Sequence, residues 1–305
     1  AKYDAEIELN DPSLAQIKTL SLSTHARVIV MPAADRSLAE INQTDPPDLN
    51  DVRRIMCDVV ESIAHLHEHG LTHADIIASN VLRVSGSYTS RNGKPSTFRY
   101  KMTDFDSCRP ISKPGAESFV GDASATSCLG PEHFYELKDD DEKRMYERYW
   151  HEEMHTEPRL WQRLAPKEDA KGRWYVVRTF RRDPKTDAPD TSRPLPYDLV
   201  EAAPAGDQWA LGALLFLEIE DEPLVHHDRK GDCENGDAMA TLCHWNEAVT
   251  EKRLAGVKDS YARDLLERLL VADPAQRAAY SLQEAPGHVF FEPDNVAKQH
   301  ACALC

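Results

Sequence analysis

Along the first third of the chain the apolar positions change period twice. From Asp48 to Gly70, Val52, Ile55, Met56, Val59, Val60, Ile63 and Leu66 recur at steps of three and four. That spacing predicts a helix with one apolar face, and Gly70 is well placed to stop it. Upstream, "KYDAEIEL" (2–9) suits a short helix, and "ARVIVMP" (26–32) reads as a buried strand. Downstream, "NVLRV" and "FRYKMTDF" have strand character and flank the polar "SYTSRNGKP", whose Asn92-Gly93 signals a hairpin. From there to about residue 131 the chain reads as loop.

The pattern alters again over 133–200. This stretch holds the acidic run "DDDE" (139–142), several Trp and Tyr, a strand-like "RWYVVRTF" (173–180) and the turn-rich "RDPKTDAPDTSRPLP". The acidic run reads as a solvated face. "DQWALGALLFLEI" (207–219) is apolar nearly all round, which predicts a helix buried within the core. "SYARDLLERLLVADP" (260–274) is amphipathic and should stop before Pro274.

Composition narrows the class. The 305 residues suffice for one large domain or two modest ones, and 36 basic against 52 acidic residues leave a net charge of −16. That balance argues against nucleic acid or an anionic membrane as the main partner. No run approaches the ~18 apolar residues of a membrane span, and no signal segment opens the chain. The cysteines, at 57, 108, 128, 233, 243, 302 and 305, are mostly isolated and odd in number. They read as free thiols in a reducing, cytoplasmic compartment. The terminal "CALC" also fits a C-x-x-C or a C-a-a-X pattern, against the plainer reading of a frayed tail.

The candidate chemistry sits in "LTHADIIASNVLRV" (71–84), which places His73, Asp75 and Asn80 within eight positions. Asp104 follows in "TDFD" at the end of the second strand-like run. Strand-end acids and an amide can hold a divalent ion that bridges phosphate oxygens, because Mg²⁺ takes a few such oxygens plus phosphate and water. A further acid can then accept a proton from an attacking hydroxyl.

With these motifs in order, the chain resembles a eukaryotic protein kinase, chiefly its C-terminal lobe. "HLHEHGLTHADIIASNVL" is similar to the catalytic loop His-Arg-Asp-Leu-Lys-x-x-Asn and its preceding helix, and "KMTDFD" to the Asp-Phe-Gly strand. "CLGPE" (128–132) resembles Ala-Pro-Glu, "DQWALG" (207–212) the start of the central helix, and "RDLLERLLVADPAQRAAYSLQEAPGHVFF" (263–291) the closing region. "VIVMPAADRSLAEI" (28–41) resembles the strand and hinge between the lobes. The resemblance implies an α+β, protein kinase-like fold, with a mostly helical C-lobe and a remnant β-containing N-lobe. It divides the chain into an N-lobe remnant and hinge (1–34), a C-lobe (35–292) carrying the insertion 133–200, and a tail (293–305). It also implies ATP and Mg²⁺ as cofactors. Asp75 would be the catalytic base, and Asn80 and Asp104 the metal and nucleotide ligands. His73 and Phe105 would stack in an internal spine, Asp207 would hold the catalytic loop, and Glu132 and Arg277 would form a structural ion pair.

The departures cluster at the catalytic positions. Ala74 replaces the family's Arg that pairs with a phosphorylated activation loop, and Ile77 replaces the Lys that stabilises the transferred phosphoryl group. Ala125 falls where Ser/Thr kinases keep a Thr, with Thr126 one residue away, and Asp106 replaces the Gly of Asp-Phe-Gly. No G-x-G-x-x-G loop and no Val-Ala-Ile-Lys strand precede "ARVIVMP". Glu6 or Glu8 suits the helix Glu that pairs with the strand Lys, but Lys2 forms only an i,i+4 pair with Glu6. The ATP-covering half of the small lobe is therefore missing, through true loss or a chain cut upstream. Three functions compete: Ser/Thr-type phosphotransfer to a protein hydroxyl in an intact parent, weak or inactive in this chain; a pseudokinase acting as a binding or scaffold module; and a small-molecule kinase of the aminoglycoside or choline type. A protein substrate or partner is expected, engaged through the 133–200 insertion unless that segment only packs on the C-lobe through Trp150, Trp161 and Trp174.

Overall fold

A computed structural model describes residues 33–89, 95–121, 126–183, 186, 188–228 and 231–291. The predicted helix at 2–9, the strand at 26–32, the Asn92-Gly93 turn, Ala125 and the 293–305 tail lie outside the described residues. The chain divides into two units, Ala1–Ala33 and Ala34–Cys305. The second contains the elements below.

Strand β1 (Arg36–Ser37) leads directly into helix α1 (Leu38–Thr44), which opens with a capping box between Ser37 and Glu40. Helix α2 (Leu49–Glu68) is the periodic segment of the sequence. Asp48 caps it by accepting from the Asp51 amide, and six of the seven apolar positions named above are buried. Leu66 is half-buried against the same core. The helix stops before Gly70, whose φ of +73° is a left-handed turn.

Strand β2 (Leu71–Thr72) is followed by the His73–Asn80 loop and then by the hairpin of β3 (Val81–Thr89) and β4 (Pro95–Met102). The hairpin pairs Val81 with Met102, and β1 extends it on the other side to give the order β1-β3-β4. β4 ends at Met102, three residues before the predicted strand end. Asp104 has φ +63°, a left-handed conformation that cannot continue a ladder. The stretch that follows is loop-like with two short strands: β5 (Arg109–Pro110) pairs with β2, and β6 (Phe119–Val120) with a partner beyond residue 199.

The 133–200 region forms β7 (Phe134–Leu137), α3 (Asp140–Tyr149), α4 (His151–Thr156), α5 (Pro158–Leu164), β8 (Lys167–Glu168), β9 (Trp174–Val177) and, at its end, β10 (Val200–Glu201), the partner of β6. Its three-stranded sheet has the order β7-β9-β8. β9 alternates between two cores, as a period of two requires. Tyr175 and Val177 face the main core, whereas Val176 joins Leu137, Tyr146, Tyr149, Trp150, Leu164, Phe180 and Tyr197 in a second one. Trp150 belongs to this second core, and Trp161 and Trp174 pack against it. The acidic run is more than a solvated face. Asp139 caps α3 by accepting from the Glu142 amide, and Asp140, Asp141 and Glu142 fill its first turn, where the helix dipole favours anions.

Helix α6 (Pro204–Glu220) begins three residues earlier than expected, with Pro204 in the first turn, where a missing N–H costs nothing. It is buried nearly all round, with Trp209, Leu211 and Leu215 fully enclosed. Helices α7 (Gly236–Cys243), α8 (Glu247–Leu254) and α9 (Ser260–Leu269) follow, and α9 turns Ala262, Leu265, Leu266 and Leu269 inward. α9 ends at Leu269, ahead of Pro274 as expected, and Asp273 then caps a separate short helix, α10 (Pro274–Arg277).

Candidate active site

The His73–Asn80 loop is pinned from below by α6. Asp207, in the first turn of that helix and 1% exposed, accepts from the His73 amide (2.8 Å), the Ala74 amide (2.9 Å) and His67 Nε2 (2.8 Å). Three donors on one buried carboxylate satisfy a charge that water cannot reach. The clamp holds Ala74 at φ +60°, a conformation with a steric cost for any residue bearing a Cβ.

Within the loop, His73 is fully buried and its tautomer follows from its partners. Nδ1 accepts from the Asp75 amide at 3.3 Å, so the proton sits on Nε2, which donates to the Thr103 carbonyl at 3.1 Å. Asn80 donates through Nδ2 to the Asp75 carbonyl (3.0 Å) and to Asp75 Oδ2 (2.8 Å). Two acceptors on that side fix the amide orientation and leave Oδ1 facing the other way.

Asp104 is tethered to the same loop through its neighbours. Thr103 donates its amide to the Asn80 carbonyl at 3.0 Å, and the Phe105 ring lies 5.3 Å from that of His73. Phe105 stacks on a buried histidine but is itself 51% exposed, so its outer face is open to solvent. Asp104 and Asp106 are exposed as well. Lower in the fold, fully buried Arg277 bonds to the Ala205 carbonyl (2.8 Å), the Val271 carbonyl (2.6 Å) and the Glu132 carboxylate, and lies over the Trp209 ring.

The structure thus brings His73, Asp75, Asn80, Phe105 and Asp207 into one hydrogen-bonded and stacked group, with Asp104 beside it between Thr103 and Phe105, while Glu132 and Arg277 form a separate tie. Sequence reading missed three members. His67 falls on the buried face of α2, four residues after Ile63, and that spacing was its signal. Thr103 acts through its backbone and left no side-chain signature. The Cys128 thiol is pushed up to about 11 by burial, with the Asp75 carboxylate adding to the effect. It is therefore protonated at neutral pH and a poor nucleophile. Thr126, which stands near the expected Thr position, accepts from the Cys233 amide at 2.6 Å.

Asn80 Oδ1 and the Asp104 carboxylate are hard oxygen donors of the kind Mg²⁺ takes. Among the described residues no group of three His, Cys, Asp or Glu side chains is placed to hold a metal. A cation held between Asn80 and Asp104 would have to complete its shell with phosphate and water oxygens.

Residues 6–132 match the family model of the protein kinase domain. That stretch is similar to a protein kinase domain. The matched stretch includes the His73–Asn80 loop and Asp104 and ends at Glu132, whereas the residues that anchor this kinase-like site from below, Asp207 and Arg277, lie beyond it. A crystal structure of the Rad53 kinase domain and SCD2 in complex with AMPPNP aligns at 13% identity and a TM-score of 0.46, covering 86% of this chain and 68% of that one. No curated protein matches the chain. The described residues form an α+β fold, and no described helix is long and apolar enough to cross a membrane.

Proposed function

We propose that this kinase-like domain serves phosphotransfer from Mg-ATP to a Ser or Thr hydroxyl of a protein substrate. The observation that carries the reading is the orientation of Asn80, whose amide nitrogen is spent on Asp75 and whose oxygen is left for a cation. Asn80 and Asp104 would hold the metal, and Mg-ATP, when bound, supplies the phosphoryl group and a charge that offsets it. Asp75, its carboxylate steadied by Asn80, orients the attacking hydroxyl and takes its proton. Ile77 offers no positive charge to the transferred group. Loss of such a contact costs about 3–4 kcal/mol of transition-state stabilisation, so turnover should be slow. In the full-length protein Asp75→Asn is expected to abolish phosphotransfer, and unchanged activity would sink this reading. Ile77→Lys should raise the rate.

A second reading, a binding module that keeps the kinase-like fold, is favoured by Ala74 and Ile77 together. Calorimetric titration of Mg-ATP separates the two. Micromolar binding supports phosphotransfer, and silence moves the function to partner recognition. On either reading we assign residues 35–292 to the C-lobe and the 133–200 insertion to partner choice, which its separate core supports. Partner capture that survives deletion of the insertion would remove it from that role.

A further inference from the structure

A cavity of about 310 Å³ lies against the His73–Asn80 loop, with Ala74 in its wall. That volume is within the range of small-ligand sites. Small residues line the cavity, among them Ala74 and Gly206, the latter in the first turn of α6, where an added Cβ would meet no atom within 4 Å. The insertion closes the far side with Val177 and Arg178, at and just after the end of β9, and with Leu199, just before β10. The lining is mostly apolar, yet two polar atoms on its walls are orphaned. Arg178 Nε and Glu132 Oε2 are buried and have no hydrogen-bond partner among the described residues.

Each orphan asks for a different group. The Arg178 guanidinium lies over the Tyr135 ring, 5.4 Å from its centre, and pairs with no described carboxylate. A partly desolvated guanidinium is best matched by an anion. Glu132 gives one oxygen to Arg277, and its other oxygen, left without a partner, calls for a donor. A phosphate dianion is disfavoured, because Asp75, Glu132 and Asp207 also border the cavity and its walls are apolar. We infer that this cavity is a binding site for a small apolar carboxylic acid that also bears a hydroxyl or amide N–H. The carboxylate faces Arg178, the donor meets Glu132, and the body fills the apolar space. Such a ligand braces the insertion against the loop that carries Asp75. The inference is independent of nucleotide binding.

The test is calorimetric titration of the 305-residue chain with para-hydroxyphenylacetate, which combines an aromatic body, a carboxylate and a hydroxyl. Para-ethylphenol serves as the comparison without a carboxylate. The acid is expected to bind at least about tenfold more tightly than the phenol. Arg178→Gln should erase that difference, and Gly206→Leu should abolish binding of both by filling the space. Three results would overturn the assignment: no binding of the acid at millimolar concentration, equal affinity for acid and phenol, or unchanged affinity in a folded Gly206→Leu chain. A cavity that holds water alone gives the first of these. Should Gly206→Leu not fold, the half-buried Arg178→Gln decides the matter through the acid-to-phenol ratio.

Discussion

Asp207 carries three hydrogen bonds on a carboxylate that water hardly reaches, and two of them come from consecutive backbone amides. Only an atom pair that accepts on both oxygens can satisfy donors from two directions. Asparagine would turn an N–H toward one of them, leaving a buried clash in place of a bond. Asp207→Asn should therefore destabilise the fold by about 3 kcal/mol or more, read as a lower urea midpoint. A loss below about 1 kcal/mol would mean that the loop holds its shape without the clamp. The left-handed Ala74 makes that outcome unexpected, since the loop stores a conformation it would not adopt alone.

At the scale of elements, two junctions make separate demands. The first joins α1 to α6, where Asn42 donates to Glu218 at 2.8 Å. Burial raises the Glu218 carboxyl from its ordinary 4.5 to about 7, against the lowering effect of Asn42 and with a smaller push from Asp221. The folded value lies above the unfolded one, so its stabilising effect is full below about pH 4.5 and lost as pH rises through 7. Each unit is worth about 1.4 kcal/mol, which predicts a loss of about 2–3 kcal/mol between about pH 5 and pH 8. Glu218→Gln keeps an acceptor for Asn42 and should flatten that part of the stability profile. A variant whose urea midpoint falls with pH as the parent's does would count against this origin. The second junction is the insertion, built around its own aromatic core. Tyr146 is fully buried there and donates to the Leu164 carbonyl at 2.8 Å. Tyr146→Ala should cost about 3–5 kcal/mol. Hydrogen exchange should accelerate in α3 while α2 and α6 stay protected. Equal loss of protection in all three would show a single cooperative core instead.

For the whole molecule, legibility followed the range of the interactions. α2 was readable because its apolar face repeats locally, and the loop residues His73, Asp75, Asn80 and Asp104 because the chemistry is packed into short motifs. The bond between His67 and Asp207 spans 140 residues, the left-handed turn at Asp104 depends on its contacts, and the second core arises only once β9 presents two faces. Beyond the spacing that sets His67 on the buried face of α2, none of these has a local period or composition to announce it. Arg277 has no local signal either and is legible only through the resemblance that pairs it with Glu132; its guanidinium ties that residue, 145 positions away, to the start of α6 and to the turn after α9. A planar fork with donors in fixed directions can serve three acceptors at once, whereas an ammonium of the same charge cannot reach them together. Arg277→Lys should therefore lose nearly as much stability as Arg277→Ala, about 3 kcal/mol or more, because both strand a buried Glu132 and two carbonyls. Glu132→Gln, which keeps an acceptor for the guanidinium, should cost less than either. If urea midpoints instead place Arg277→Lys near the parent and far above Arg277→Ala, charge rather than fork geometry holds these three segments together.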